Sequence, residues 1–343
     1  MPMWNTLRRL IQRPPEPPPA AVRPGTQPVQ PAAAAAAAPA QGPDSKAATI
    51  DAAGLELRFS AWLLDMPCGE DAAALNPAER RVLAQLDALL EGASASPMVP
   101  RLPAALPRLM ALVRREDVSA RALADHLAAD PALVGELVRL ANSPRYRPSR
   151  EIKSLEQAVQ VLGQDGLSQL VSRAMLGPVF SAQSGRFGRE ATSRLWELAD
   201  RCAHGGAFLR QGHKDSFDAY LAGMAAQTGL LAALRLLEQQ QAQHPPSASA
   251  SPDFHAGLAE RAARLSARIA RDWEFPADAV NALELRAAHA PALAGGLAAA
   301  VMAAERSAKR QLLGLGLESR PAEDESSCLI ELQNLFGATA QPA

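Results

Sequence analysis

Aromatic residues make up only 4% of this 343-residue chain, too few for the stacking platforms that hold single-stranded nucleic acid. Cysteine is scarcer still. Cys68, Cys202 and Cys328 lie far apart and form no C-x-x-C pair, which argues against a disulfide framework and leads to the expectation of reduced thiols in a cytoplasmic protein. Neither sign of charge is in excess: 35 Lys and Arg stand against 36 Asp and Glu, a formal net charge of −1. No global field therefore draws the chain toward nucleic acid or an anionic membrane. No uninterrupted apolar run reaches the ~20 residues of a membrane span. Phosphate loops of the G-x-x-x-x-G-K type, G-x-S-x-G elbows and H-E-x-x-H pairs are all missing, and with them several common catalytic frameworks. Runs of β-branched and aromatic residues are rare, whereas alanine-rich stretches at helical spacing are frequent. The expected class is all-α, in a chain long enough for one large domain or two small ones.

What is present is clearest between Ser119 and Gly163. Ser119 can cap a short helix with Leu123 and Leu127 on one face. Asp130 then caps a second, with Pro131 at the first helical position, where a missing N–H costs nothing. Leu133, Val134, Leu137, Val138, Leu140 and Ala141 form its apolar stripe. Asn142 stands where a left-handed C-terminal cap is expected, and Pro144 stops the helix. Ser154-Leu155-Glu156-Gln157 reads as a capping box opening a third helix, which Gly163 closes.

Around this core the chain divides by composition. Residues 1–13 place Trp4, Leu7, Leu10 and Ile11 on one helical face with Arg8, Arg9 and Arg13 and no acid. Two readings stand for them: a docking element for a protein partner or a membrane surface, and a frayed tail. Residues 14–48 form a Pro/Ala-rich linker; Pro14–Pro43 alone holds 10 of the 28 prolines, a density that forbids a packed core. Residues 49–96 read as an N-terminal helical extension. Within it the alternation Leu55–Phe59 fits a short strand, and a helix running through Trp62 to Leu64 fits equally; Asn76-Pro77-Ala78-Glu79 opens a helix to about Leu90. Residues 97–313 form the main helical domain. Asp165 opens a helix ending at Gly177-Pro178; further helices are expected over 190–211, 217–240, 253–273, 276–289 and 291–313. Gly205-Gly206 and Gly295-Gly296 fall inside these patterns and suit close helix packing. Residues 314–343 form a tail with a short amphipathic helix at Leu329, Leu332, Leu335 and Phe336.

The order of these signals resembles the HDOD family of bacterial regulatory proteins. The residues that carry the resemblance are Val99-Pro100-Arg101-Leu102-Pro103, Asp130-Pro131-Ala132-Leu133, Leu140-Ala141-Asn142-Ser143 and Ser154 to Gly163. It implies a compact, all-helical fold of the HD superfamily, used in signalling and usually without demonstrated catalysis. HD-type hydrolases hold metal through a histidine, a later His-Asp pair and a final aspartate. The family pattern laid on this chain puts Leu198 at the first position, Ala226 and Gln227 at the pair, and Glu305 near the last. Gly223-Met224-Ala225-Ala226-Gln227-Thr228-Gly229 resembles the family's Gly-Leu-Leu-His-Asp-Ile-Gly. Leucine and alanine cannot coordinate an ion, so the site reads as degenerate. No cofactor or metal is expected, and for the six histidines packing or solvation is the expected role.

One further constellation is basic: Arg139, Arg145, Tyr146, Arg147, Arg150 and Lys153 surround the loop after Asn142. Guanidinium groups there could take a phosphate or an acidic partner strip, or simply be solvated. The function expected is a non-enzymatic, cytoplasmic regulatory module acting through protein–protein contacts. The alternative is a metal-dependent phosphohydrolase acting on a nucleotide or cyclic dinucleotide with atypical ligands. A DNA-binding role would need a net basic recognition helix, and residues 131–141 carry one arginine and one glutamate.

Overall fold

The computed structural model describes residues 50–68, 74–92, 97–101, 127–128, 131–142, 151–181, 188–241, 249–289 and 296–315. Among them it contains ten helices and no strand: α1 (Ala52–Leu64), α2 (Pro77–Gly92), α3 (Pro131–Ala141), α4 (Leu155–Ser181), α5 (Gly188–Leu209), α6 (Ser216–Ala225), α7 (Thr228–Gln241), α8 (Pro252–Asp272), α9 (Ala277–Ala287) and α10 (Leu297–Leu312). The chain divides into two units, 1–48 and 49–343, and every described helix belongs to the second. The linker, the segment 1–13 and the C-terminal amphipathic stretch lie outside the described residues, as do Ser119, Leu123 and Asp130.

Leu55–Leu64 is helical rather than extended. Helical spacing brings Leu55, Phe59 and Leu63 onto one buried face with Leu64, whereas a strand would have grouped Leu55 with Leu57. Asp51 caps α1 by accepting from Gly54 N at 2.8 Å. The box opening α2 is reciprocal: Asn76 Oδ1 accepts from Ala78 N and Glu79 N at 2.9 Å, and Glu79 Oε2 accepts from Asn76 N at 2.8 Å. The same buried carboxylate accepts from Ser251 N at 2.8 Å and Ser251 Oγ at 2.9 Å at the start of α8. One acid thus serves two helix N-termini, the positive ends of both dipoles.

The box at Ser154 forms as read, one residue offset on its return arm. Gln157 N donates to Ser154 Oγ at 3.3 Å, while Gln157 Oε1 accepts from Lys153 N at 2.7 Å. Gly163 ends the first segment of α4 with φ 67, inside a stretch that runs on helically to Ser181. That continuation corrects the stop expected at Gly177-Pro178: Pro178 lies within the helix. A second correction concerns Asn142. The non-glycine residues with positive φ among those described are Asp65, Glu274 and His289, so Asn142 is not a left-handed cap. It works through its side chain instead. Its Nδ2 donates to Val138 O at 2.9 Å and Ile152 O at 2.6 Å, and its Oδ1 accepts from Ile152 N at 2.8 Å. This amide staples the end of α3 to the chain entering α4.

In the second half, the helix expected over 217–240 is two helices, broken at Ala226-Gln227. Ser266 Oγ on α8 donates to Ala226 O at 2.8 Å and accepts from Gly229 N at 3.0 Å, taking up backbone groups that the break frees. Glycine makes the approach possible: a Cβ on Gly229 would lie 1.9 Å from Ala262 O, and one on Gly223 would lie 2.5 Å from Cys202 O. Gly206 packs in the same manner, with a Cβ meeting Ala219 O at 3.1 Å. Gly296, expected inside a helix, is instead the N-cap of α10. By length and composition Ser216–Gln240 could cross a membrane, but 94% of that window is buried inside the fold; it is core. One continuous hydrophobic core joins α1 and α2 to the rest, from Phe59 and Leu86 through Leu198 and Leu231 to Val301.

Candidate functional site

Three elements supply the four mapped positions, and Gln227 joins two of these elements to its own. α5 supplies Leu198 and, one turn on, Cys202; the α6–α7 break supplies Ala226 and Gln227; α10 supplies Glu305. Leu198 and Gln227 are fully buried, and Ala226 is nearly so. Gln227 Nε2 donates to Glu305 Oε1 at 3.1 Å and lies 3.9 Å from Cys202 Sγ.

Glu305 is saturated by cations. Arg286 on α9 grips it with both edges of its fork, Nε to Oε2 at 2.5 Å and Nη2 to Oε1 at 2.7 Å. Lys309, one turn along α10, places Nζ 2.8 Å from Oε1. The same ammonium reaches Glu56 Oε1 on α1 at 2.5 Å and lies 5.2 Å from the centre of the Phe59 ring. Burial alone would push the Glu305 carboxyl upward, but the charges and hydrogen bonds of Arg286 and Lys309 outweigh it and hold the group well below the usual carboxylate range. Burial opposes the charge on Arg286 and Lys309 as well, yet the carboxylates beside them raise both. Burial, followed by the Glu305 charge, pushes the Cys202 thiol up, which makes it a poor nucleophile.

These residues do not fit the metal centre that the resemblance to HD-type hydrolases implies at these positions. Leu198 and Ala226 carry no donor atom and both Glu305 oxygens are occupied by cations, which leaves the single carbonyl oxygen of Gln227, too little to hold an ion. Among the described residues no group of three His, Cys, Asp or Glu could hold an ion. His204 lies 3.7 Å from Asp200 and edge-on to Tyr220. His255 is buried against Ser60 Oγ at 2.8 Å. His213 and His289 are exposed. A family model for the HDOD domain matches residues 99–291.

The chain belongs to the HDOD domain family. An HDOD domain protein of unknown function from Geobacter sulfurreducens has a similar solved structure, with 20% identity and a TM-score of 0.51 over 76% of this chain and 88% of that one. A Shewanella amazonensis SB2B structure, titled as a candidate metal-dependent phosphohydrolase, matches at 16% identity and TM-score 0.54 over 78% of this chain and all of that one. At such identities the likeness is one of fold. An uncharacterized protein of Treponema pallidum (strain Nichols) is 24% identical over 207 residues, 56% of this chain; the match spans only 39% of that relative's length.

Arg139 is exposed on α3, and Lys153 is 73% exposed in a surface pair with Glu151 at 3.6 Å. Arg145, Tyr146, Arg147 and Arg150 lie outside the described residues, with Trp4, Leu7, Arg8, Arg9 and Ile11. What the sequence reading missed is the cation pair and Glu56. A signal existed: Arg286 continues the stripe Ala279, Ala282, Leu283, and Glu305 and Lys309 sit on the face of Val301, Ala304 and Ala308. Charges on an otherwise apolar helix face announce a buried network.

Proposed function

We propose that this HDOD domain is a non-catalytic regulatory module of the cytoplasm that acts by presenting helical surfaces to a protein partner. The observation that supports it is the fate of Glu305. A hydrolytic metal centre needs several convergent ligands and an open position for water. Here the single acid at the mapped positions is held by Arg286 and Lys309, and positions 198 and 226 are hydrocarbon. Positive charge that an ion would bring is supplied by side chains, and no polarised water follows from it.

The test is elemental analysis of protein purified without added metal, then titration with Mn²⁺, Fe²⁺ or Mg²⁺ and assay on nucleotides and cyclic dinucleotides. The reading expects sub-stoichiometric metal and no turnover, with loss of partner capture after substitutions on the domain surface. Near-stoichiometric tight metal, or turnover that Glu305→Ala abolishes, would make the chain a phosphohydrolase with rearranged ligands.

A further inference from the structure

We propose that the Arg286–Lys309 pair is a binding site for a small oxyanion, phosphate or carboxylate, which the chain keeps closed with the carboxylate of its own Glu56. The charge balance points there first. Two cations, with side chains 11% and 2% exposed, face one buried carboxylate, Glu305. The second negative charge comes from Glu56, and Glu56 differs in kind from the other members. Its side chain is 37% exposed while the ammonium it meets is 2% exposed, so it reaches inward from solvent to a buried charge. It also comes from α1, upstream of the residues that the family model spans.

The inner end of the cluster is unsaturated. Arg286 Nη1 is buried without a hydrogen-bond partner among the described residues. An isolated buried donor of this kind costs free energy that a bound group recovers. Glu56 acts electrostatically on Arg286 as well as on Lys309, so an oxyanion in its place would feel both cations. Glu305 does not bar it, because the fork of Arg286 already neutralises that carboxylate. α1 need not leave: rotation of one glutamate side chain opens the position, while Phe59 and Leu63 stay buried. Tethering gives Glu56 an effective concentration in the millimolar range or above, so free anions compete poorly in the native chain.

The experiment compares the full chain with Glu56→Gln, Glu56→Asp and the double variant Glu56→Gln/Lys309→Met. Calorimetric titration with sodium phosphate, and separately sodium acetate, is run at ionic strength matched with sodium chloride. Glu56→Gln should bind phosphate or acetate about tenfold more tightly than the native chain, and Glu56→Asp, its carboxylate drawn back by one methylene, should fall between. The double variant should lose the gain. Equal affinity in native and Glu56→Gln proteins, or a gain that survives removal of Lys309, overturns the proposal. Should Glu56→Gln fail to fold, Glu56→Asp alone decides: affinity no higher than native overturns it. The preceding functional reading fails on a different result, tight metal, so the two are separable.

Discussion

Asn142 shows at the scale of one residue how a cap position can mislead. Its neighbours spell a helix end, yet its amide spans ten residues to bind both backbone groups of Ile152. Removing the side chain strands those buried or half-buried groups, so Asn142→Ala and Asn142→Gly should cost alike, about 1–3 kcal/mol. Urea denaturation checks it; a glycine variant as stable as the native protein would return the explanation to the backbone. Glu305 carries a second residue-scale expectation. Its folded pKa is depressed, so its contribution to stability is present in full above the unfolded value of about 4.3. That contribution is shed as pH falls below this value toward the folded one. His255, lowered by burial, has the same sign but begins earlier: neutral imidazole is favoured in the fold, and stability is lost as pH falls below about 6.5. Unfolding free energy measured from neutral pH downward should decline through both windows. In Glu305→Gln the decline below about pH 4.3 should shrink by one proton's worth of slope; an unchanged slope would place the shift elsewhere.

Elements tell how far local chemistry reaches. The boxes at Asn76–Glu79 and Ser154–Gln157, and the left-handed Gly163, were legible because every partner lies within four residues. The break between α6 and α7 was not, since its backbone groups are taken up by Ser266, on another helix. α4 passing through Pro178 is a similar case, a local stop signal overridden by the fold. At the site, the mapping of Leu198, Ala226, Gln227 and Glu305 comes from family resemblance, whereas Arg286, Lys309 and Glu56 each come from a place whose target only tertiary packing defines. The glycine-lined contacts make the sharpest prediction here. Gly229→Ala would drive a methyl into the carbonyl of Ala262, which lies 1.9 Å from the ideal Cβ position. It should destabilise by about 3 kcal/mol or more, read as a shift in denaturation midpoint. Gly135→Ala, with open space around it in a helix, should be neutral to stabilising by about 1 kcal/mol. Equal effects at the two positions would mean that the α7–α8 approach is looser than described.

For the whole molecule, the working boundary is set by α1 rather than by the start of the family match. α1 buries Leu55, Phe59, Leu63 and Leu64, lends Ser60 to His255 and Glu56 to Lys309, and takes a hydrogen bond from Arg194 at Trp62 O, 2.6 Å long. Deleting residues 1–48 should leave the melting temperature unchanged. Deleting 1–65 should lower it by about 10 °C or more, from the burial lost; calorimetry of the two truncations separates these outcomes, and equal melting temperatures would make α1 dispensable. The cation pair also governs which neighbouring sequences this chain can reach. Histidines at 198 and 226 would need the Glu305 carboxylate as a further ligand, and it is already neutralised by Arg286 and Lys309. Removing either cation first leaves a charge buried and underpaired, a loss of several kcal/mol. Each single substitution toward a metal centre therefore costs stability on its own, and only a concerted set, two cations out and three ligands in, avoids an unpaired buried charge. A metal centre at these positions would therefore need coupled changes at five residues, not the addition of ligands alone.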